Sequence, residues 1–117
     1  MKTYKDIEYI IIKNPYIGTW LAYIKIPNNH SWKEIDCYDD VPLSVHCGLT
    51  FMSNVTKEKE ELFTIQQFTI GKWIGWDYGH LCDYVNYGDY VSEGKKWTYE
   101  EVEEDVKHAI DDMLNLK

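Results

Sequence analysis

Cysteine is scarce and unpaired in this chain. Cys37, Cys47 and Cys82 are odd in number, and no C-x-x-C occurs among them. That excludes a disulfide-stapled framework and the zinc sites built on cysteine pairs. Long apolar runs are missing as well. Tyr9 to Ile12, like every other apolar run here, falls far short of the roughly 20 residues that span a bilayer. The opening MKTYKDIEYI is charged from its second residue and does not read as a secretory signal. These absences predict a cytoplasmic protein with reduced thiols and no membrane partner. Basic residues are also few, with 12 Lys and Arg against 20 Asp and Glu, a net charge of -8. Such a field repels phosphate backbones and argues against general nucleic-acid binding. It leaves room for a local pocket for a small anion, or for a surface that imitates nucleic acid. No internal repeat or low-complexity segment is present.

What is there suits one domain spanning residues 1–117. The length can bury a single core, and 44% hydrophobic residues is ordinary for a globular chain. Ten Tyr and five Trp are many for this size. Their large flat bodies with polar handles serve equally as core filling or as the walls of a ligand site.

Residues 3–13 end in a β-branched run that favours a strand, with a short helix as the alternative. In residues 19–26, Trp20, Ala22, Ile24 and Ile26 fall on one face, with Leu21, Tyr23 and Lys25 on the other. Both faces are largely apolar, which predicts an interior strand. Residues 30–44 read as a loop with a short turn, and 45–53 as a strand with a glycine in its middle. After a charged stretch at 56–61, residues 62–70 are β-rich, and Gly71 separates them from the strand-like KWIGWDYG. Residues 80–96 read as a long polar-aromatic loop.

The C-terminal segment carries the sharpest structural signal. Thr98 and Glu101 have the spacing of a capping box. Val102, Val106, Ala109, Ile110, Met113 and Leu114 then recur at intervals of three and four, one stripe of an amphipathic helix. That stripe needs a sheet to cover. The expected fold class is α+β, an antiparallel sheet of about four to five strands covered by a C-terminal amphipathic helix.

Two stretches hold the polar residues able to do chemistry, HCGLT at 46–50 and DYGHLCD at 77–83. Should the two lie side by side, His46 would approach Asp77 and His80. His46, Asp77, His80 and Asp83 supply imidazole and carboxylate for a metal-dependent hydrolase. The plainer alternative makes Asp77 the cap of the turn after its strand, with His80 bonded to a backbone carbonyl. A thiol nucleophile at Cys47 or Cys82 is weaker, because on a strand His46 and Cys47 point to opposite faces. A binding site asks less of the residues. Trp73, Trp76 and Tyr78 would stack a nucleobase, while Lys72, Lys95 and Lys96 meet phosphates. Trp73 and Trp76 share one pocket only if Gly75 hosts a bulge.

The stretches AYIKIP (22–27), NHS (29–31), HCGLTFMS (46–53), WIGWDYGHLCD (73–83) and WTYEEV (97–102) follow one another in this order. Together they resemble a widespread family of small phage and prophage proteins, whose pattern runs H-G-G-L-T-F-S and then W-x-G-F-D-C-A-H-x-G-D. Its polar positions fall here on His30, His46, Thr50, Asp77, His80 and Asp83. Cys47 replaces the first glycine of the pattern and Cys82 the glycine before Asp83, while Tyr78 replaces its cysteine, and that last replacement counts against thiol catalysis. The resemblance implies a phage counter-defence factor acting in the host cytoplasm. Several such families sequester nucleotide second messengers of bacterial immunity as symmetric oligomers.

The leading expectation is therefore a homo-oligomeric sponge that binds a nucleotide-derived signal without turnover and needs no cofactor. Its ligand-binding residues would be His46, Thr50, Trp73, Trp76, Asp77, Tyr78 and His80. The alternatives are the metal-dependent hydrolase and an acidic inhibitor that mimics nucleic acid through its Glu-rich helix.

Overall fold

The computed structural model describes residues 2–14, 18–56, 68–79 and 95–116. Five strands form one antiparallel sheet, and a C-terminal helix covers one face. The strands are β1 (Lys2–Tyr4), β2 (Ile7–Lys13), β3 (Trp20–Ile26), β4 (Phe51–Val55) and β5 (Gly71–Asp77), in the order β1-β2-β3-β5-β4. The helix, α1, spans Tyr99–Asn115. The expected α+β architecture is the one observed, with β3 at the centre as its two apolar faces require.

The first segment departs from a single strand. Lys5 and Asp6 both take positive φ, 51° and 65°, and Tyr4 pairs with Ile7 across them. This two-residue loop has the left-handed geometry that suits a twisted hairpin. Lys-Asp carries none of the Asn-Gly signal that usually announces it. The turn is tied to α1, where the Lys5 amine meets Asp111 at 2.7 Å.

Residues 45–53 depart more consequentially. Only β4 is a strand, while His46 and Cys47 form a turn closed by Gly48 N donating to the Val45 carbonyl at 3.0 Å. Cys47 has φ 55° and Gly48 φ 87°. An extended strand cannot hold two consecutive residues in that region. Residues 62–67 of the β-rich run, and most of the 80–96 loop, lie outside the described residues.

Strand alternation divides the core in two. Ala22, Ile24, Ile26, Ile74, Trp76 and Tyr78 face α1 and pack with Val102, Val106, Ala109, Ile110 and Met113. Ile10, Val55, Phe68 and Trp73 form a second cluster on the opposite face. The predicted helical stripe is thus the buried one, with Leu114 half-buried at its margin. Both halves of the capping box are made: Thr98 accepts from Glu101 N, and Glu101 reaches back to Thr98 N. At the other end His30, only 4% exposed, braces the last turn. Its Nδ1 accepts from Trp32 N at 3.1 Å, so the proton sits on Nε2, which donates to the Met113 carbonyl at 2.7 Å. Among the described residues, no helix is long and apolar enough to cross a membrane.

Candidate functional site

The two predicted motifs do meet. Thr50 N donates to the Gly75 carbonyl at 3.0 Å, which lays 46–50 beside the end of β5. The His46 imidazole lies flat on the Tyr78 ring, with centroids 4.7 Å apart and planes within 10°. Trp97, just before α1, closes the group. Its ring stands edge-on to His46 at 5.0 Å and tilted against Tyr78 at 4.8 Å.

The meeting does not put all the expected residues in one cleft. The β3–β5 register runs unbroken from Leu21↔Asp77 to Ile26↔Lys72, so Gly75 hosts no bulge. Trp73 and Trp76 therefore face opposite sides of the sheet. Neither offers a stacking wall, since they are 0% and 1% exposed. Trp73 donates its indole N–H to the Thr69 carbonyl at 2.8 Å, inside the second cluster. Tyr78, 1% exposed, presents its ring to His46 rather than to a ligand. Gly75 is required by the protein itself, because an added Cβ would lie 2.5 Å from the Tyr23 ring.

Asp77 falls on the Trp73 side of β5, away from α1. Asp77 Oδ1 accepts from Gly79 N at 3.0 Å, an Asx turn that ends β5. Its Oδ2 accepts from the Thr50 hydroxyl at 3.3 Å. Asp77 thus caps its strand, and His46 lies across the sheet from it. His80, expected as a ligand-binding residue and in the metal alternative, and Asp83, expected in the metal alternative, lie outside the described residues. Among the described residues, no three His, Cys, Asp or Glu side chains are grouped so as to hold a metal ion. His46 and Cys47, placed in a turn rather than a strand, bring Nε2 and Sγ to 3.7 Å, contrary to the opposite-face expectation. The exposed thiol does not line the cleft described next.

That cleft, about 280 Å³, opens between the 44–46 segment and α1. Ser44, His46, Trp97, Asp105 and His108 supply its functional groups, over a floor that includes Val45 and Ala109. Asp105 is held rather than loose. Tyr78 donates its hydroxyl to Asp105 Oδ2 at 2.8 Å, and Trp76 Nε1 donates to the Tyr78 oxygen at 3.0 Å. A buried relay thus fixes one carboxylate oxygen from within the core. Lys95 stands beside the cleft with its amine 3.9 Å from the Trp97 ring centroid, and pairs with Glu101 at 2.7 Å. Lys72, expected to meet phosphate, is buried and bonded to the Lys33 and Ile35 carbonyls.

Asp105 and His108 were not legible as site residues. On a helix they read as the polar flank of the apolar stripe, and their spacing of three sets them on one side. A second hollow, about 210 Å³, lies by Asp6, Glu8 and Lys25. Its Lys25 and Glu8 bond each other at 3.0 Å and share Thr69. No family model matches this chain, and no curated protein or solved structure is significantly similar to it.

Proposed function

We propose that this protein binds and holds a small nucleotide-type ligand without turnover, with the cleft between residues 44–46 and α1 as its site. The observation that supports this is the company kept there: heteroaromatic rings of Trp97 and His46 beside a positioned carboxylate and a second imidazole. Aromatic faces take a base, and a few convergent polar groups orient it. The volume, about 280 Å³, falls just below the roughly 300–1,000 Å³ of small-molecule sites. It suits a base or ribose, with phosphates left toward solvent near Lys95. The chain contains no arginine, so phosphate contact falls to lysine, histidine and backbone amides.

The counter-defence role in a phage-infected host cytoplasm, and assembly into a homo-oligomer, belong to the same proposal and rest on the motif resemblance. Acidic mimicry is less well supported. Glu103 is occupied internally by Lys2, Tyr9 and Tyr99, and Glu101 by Lys95 and Thr98.

The test is incubation of the purified protein with cyclic nucleotides and ADP-ribose derivatives, followed by heat denaturation and chromatography of the released material. Intact ligand is expected. Recovery of cleaved products would overturn sequestration. Native mass spectrometry of the same samples reads the subunit number and the retained ligand together.

A further inference from the structure

Resting on the nucleotide reading, we propose that Asp105 makes the cleft selective for guanine. The relay from Trp76 through Tyr78 supplies the first reason. It holds Asp105 Oδ2 from inside the core at 2.8 Å, so the carboxylate cannot swing freely in answer to whatever enters. A preset carboxylate is acceptor-only and offers two oxygens side by side. Oδ2 keeps a second lone pair beyond the one that Tyr78 uses, so both oxygens are able to accept from a ligand.

The complementary partner is a planar group with two adjacent N–H donors. Among the nucleobases only guanine has this, in N1–H and the N2 amine. Adenine puts the N1 acceptor beside its amine, and cytosine puts N3 beside its own. Either would bring a lone pair against a carboxylate oxygen. Uracil and thymine carry a single ring N–H between two carbonyls. A charge-assisted, two-pronged bond is both stronger and more directional than a neutral one. A site built to satisfy such donors discriminates by leaving the wrong base unpaired.

Charge points the same way. The chain carries a net charge of -8, which favours a ligand held through a donor-rich edge over one gripped mainly by its phosphates. His108, one turn on from Asp105 and exposed, lines the same cleft and offers a polar partner to the ribose or phosphate of such a ligand. Free guanidinium compounds share the donor pair, so they have to be separated from guanine by experiment.

Calorimetric titration of the full chain with GMP, AMP, CMP, UMP and argininamide decides the matter. GMP is expected to bind at least about tenfold tighter than the other nucleotides, the equivalent of one lost charge-assisted bond. Asp105→Asn keeps an oxygen to accept from Tyr78 but replaces one ligand-facing acceptor with a donor. It should remove the GMP preference while its melting temperature shows the fold retained. His108→Ala should weaken all nucleotides alike and leave the preference intact. AMP or a pyrimidine binding as tightly as GMP would overturn the guanine assignment and leave the nucleotide reading standing. Binding of argininamide in place of every nucleotide, or of none of the probes, would overturn both.

Discussion

His46 and Tyr78 stack face to face at 4.7 Å, and this contact between residues 32 positions apart in sequence joins the two motifs into one structure. Tyr78 has a second duty, because its hydroxyl joins Trp76 to Asp105. Tyr78→Phe separates the two. The ring, and so the stack, survives, while a buried indole N–H loses its acceptor. A stability loss of about 1–3 kcal/mol is expected, seen as a lower denaturation midpoint at unchanged slope. Nucleotide affinity should fall with it, since Asp105 is no longer held. Unchanged stability and affinity would show the relay to be idle.

Cys47→Gly should stabilise the protein. Cys47 sits at φ 55°, a left-handed conformation that costs a residue with a Cβ about 1–2 kcal/mol. Glycine relieves that cost and gives part of it back through a freer unfolded chain. A net gain of about 0.5–1 kcal/mol is expected from urea unfolding. Cys47→Val should go the other way, because β-branching is least tolerated at positive φ.

His30→Ala removes a buried ring and both of its hydrogen bonds, to Trp32 N and to the Met113 carbonyl. The combined cavity and unsatisfied polar groups should cost about 2–4 kcal/mol. Amide hydrogen exchange gives a local signature, with protection lost first around the last turn of α1. A uniform loss across the helix would show that His30 acts only as packing.

Stability should fall at both pH extremes for different reasons. Glu103 is held below its ordinary value by the Tyr9 hydroxyl and the Lys2 amine, and Asp111 by Lys5. Burial pushes Glu8 up, but bonds from Lys25 and Thr69 outweigh it and bring it down. A depressed folded value means the contribution is complete above the ordinary carboxylate range, about pH 4. It is lost as pH falls through the lower folded values. Tyr9 behaves in reverse. Burial and the Glu103 carboxylate raise its hydroxyl to about 12. Its contribution is present below about pH 10 and is lost as pH climbs toward 12. Thermal midpoints against pH, with tyrosinate absorbance at the alkaline end, check both limbs. Tyr9→Phe should remove one tyrosinate step near pH 12.

The helix was readable in full because its signals are local: a capping box, then apolar residues every three or four. β3 and β5 were readable because their apolar content leaves no other place for them. The Lys5–Asp6 hairpin and the His46–Cys47 turn were not, since neither pair is of the type that favours positive φ. Trp73 and Trp76 invited a stacking role by residue type alone. Alternation in an unbroken register sends them to separate cores instead. Asp105 acquires meaning only through Tyr78, 27 residues away, and no reading of a helical flank contains that bond.

The insertion of β5 between β3 and β4 has a consequence in time. β1, β2 and β3 are sequential neighbours that can pair as they emerge, but β4 has β5 as its partner among the described strands. Among the described strands, the half of the sheet beside His46 therefore joins β1–β3 through the β3–β5 seam, whose strands are far apart in the chain. Closing that distance costs chain entropy before any contact repays it. Substitutions at the seam, Ile24→Val or Ile74→Val, should slow refolding. An equivalent change in the first hairpin, Ile7→Val, should also slow refolding and leave unfolding nearly unchanged, because that hairpin is already formed when the seam closes. The candidate cleft would then be the last part of the molecule to form.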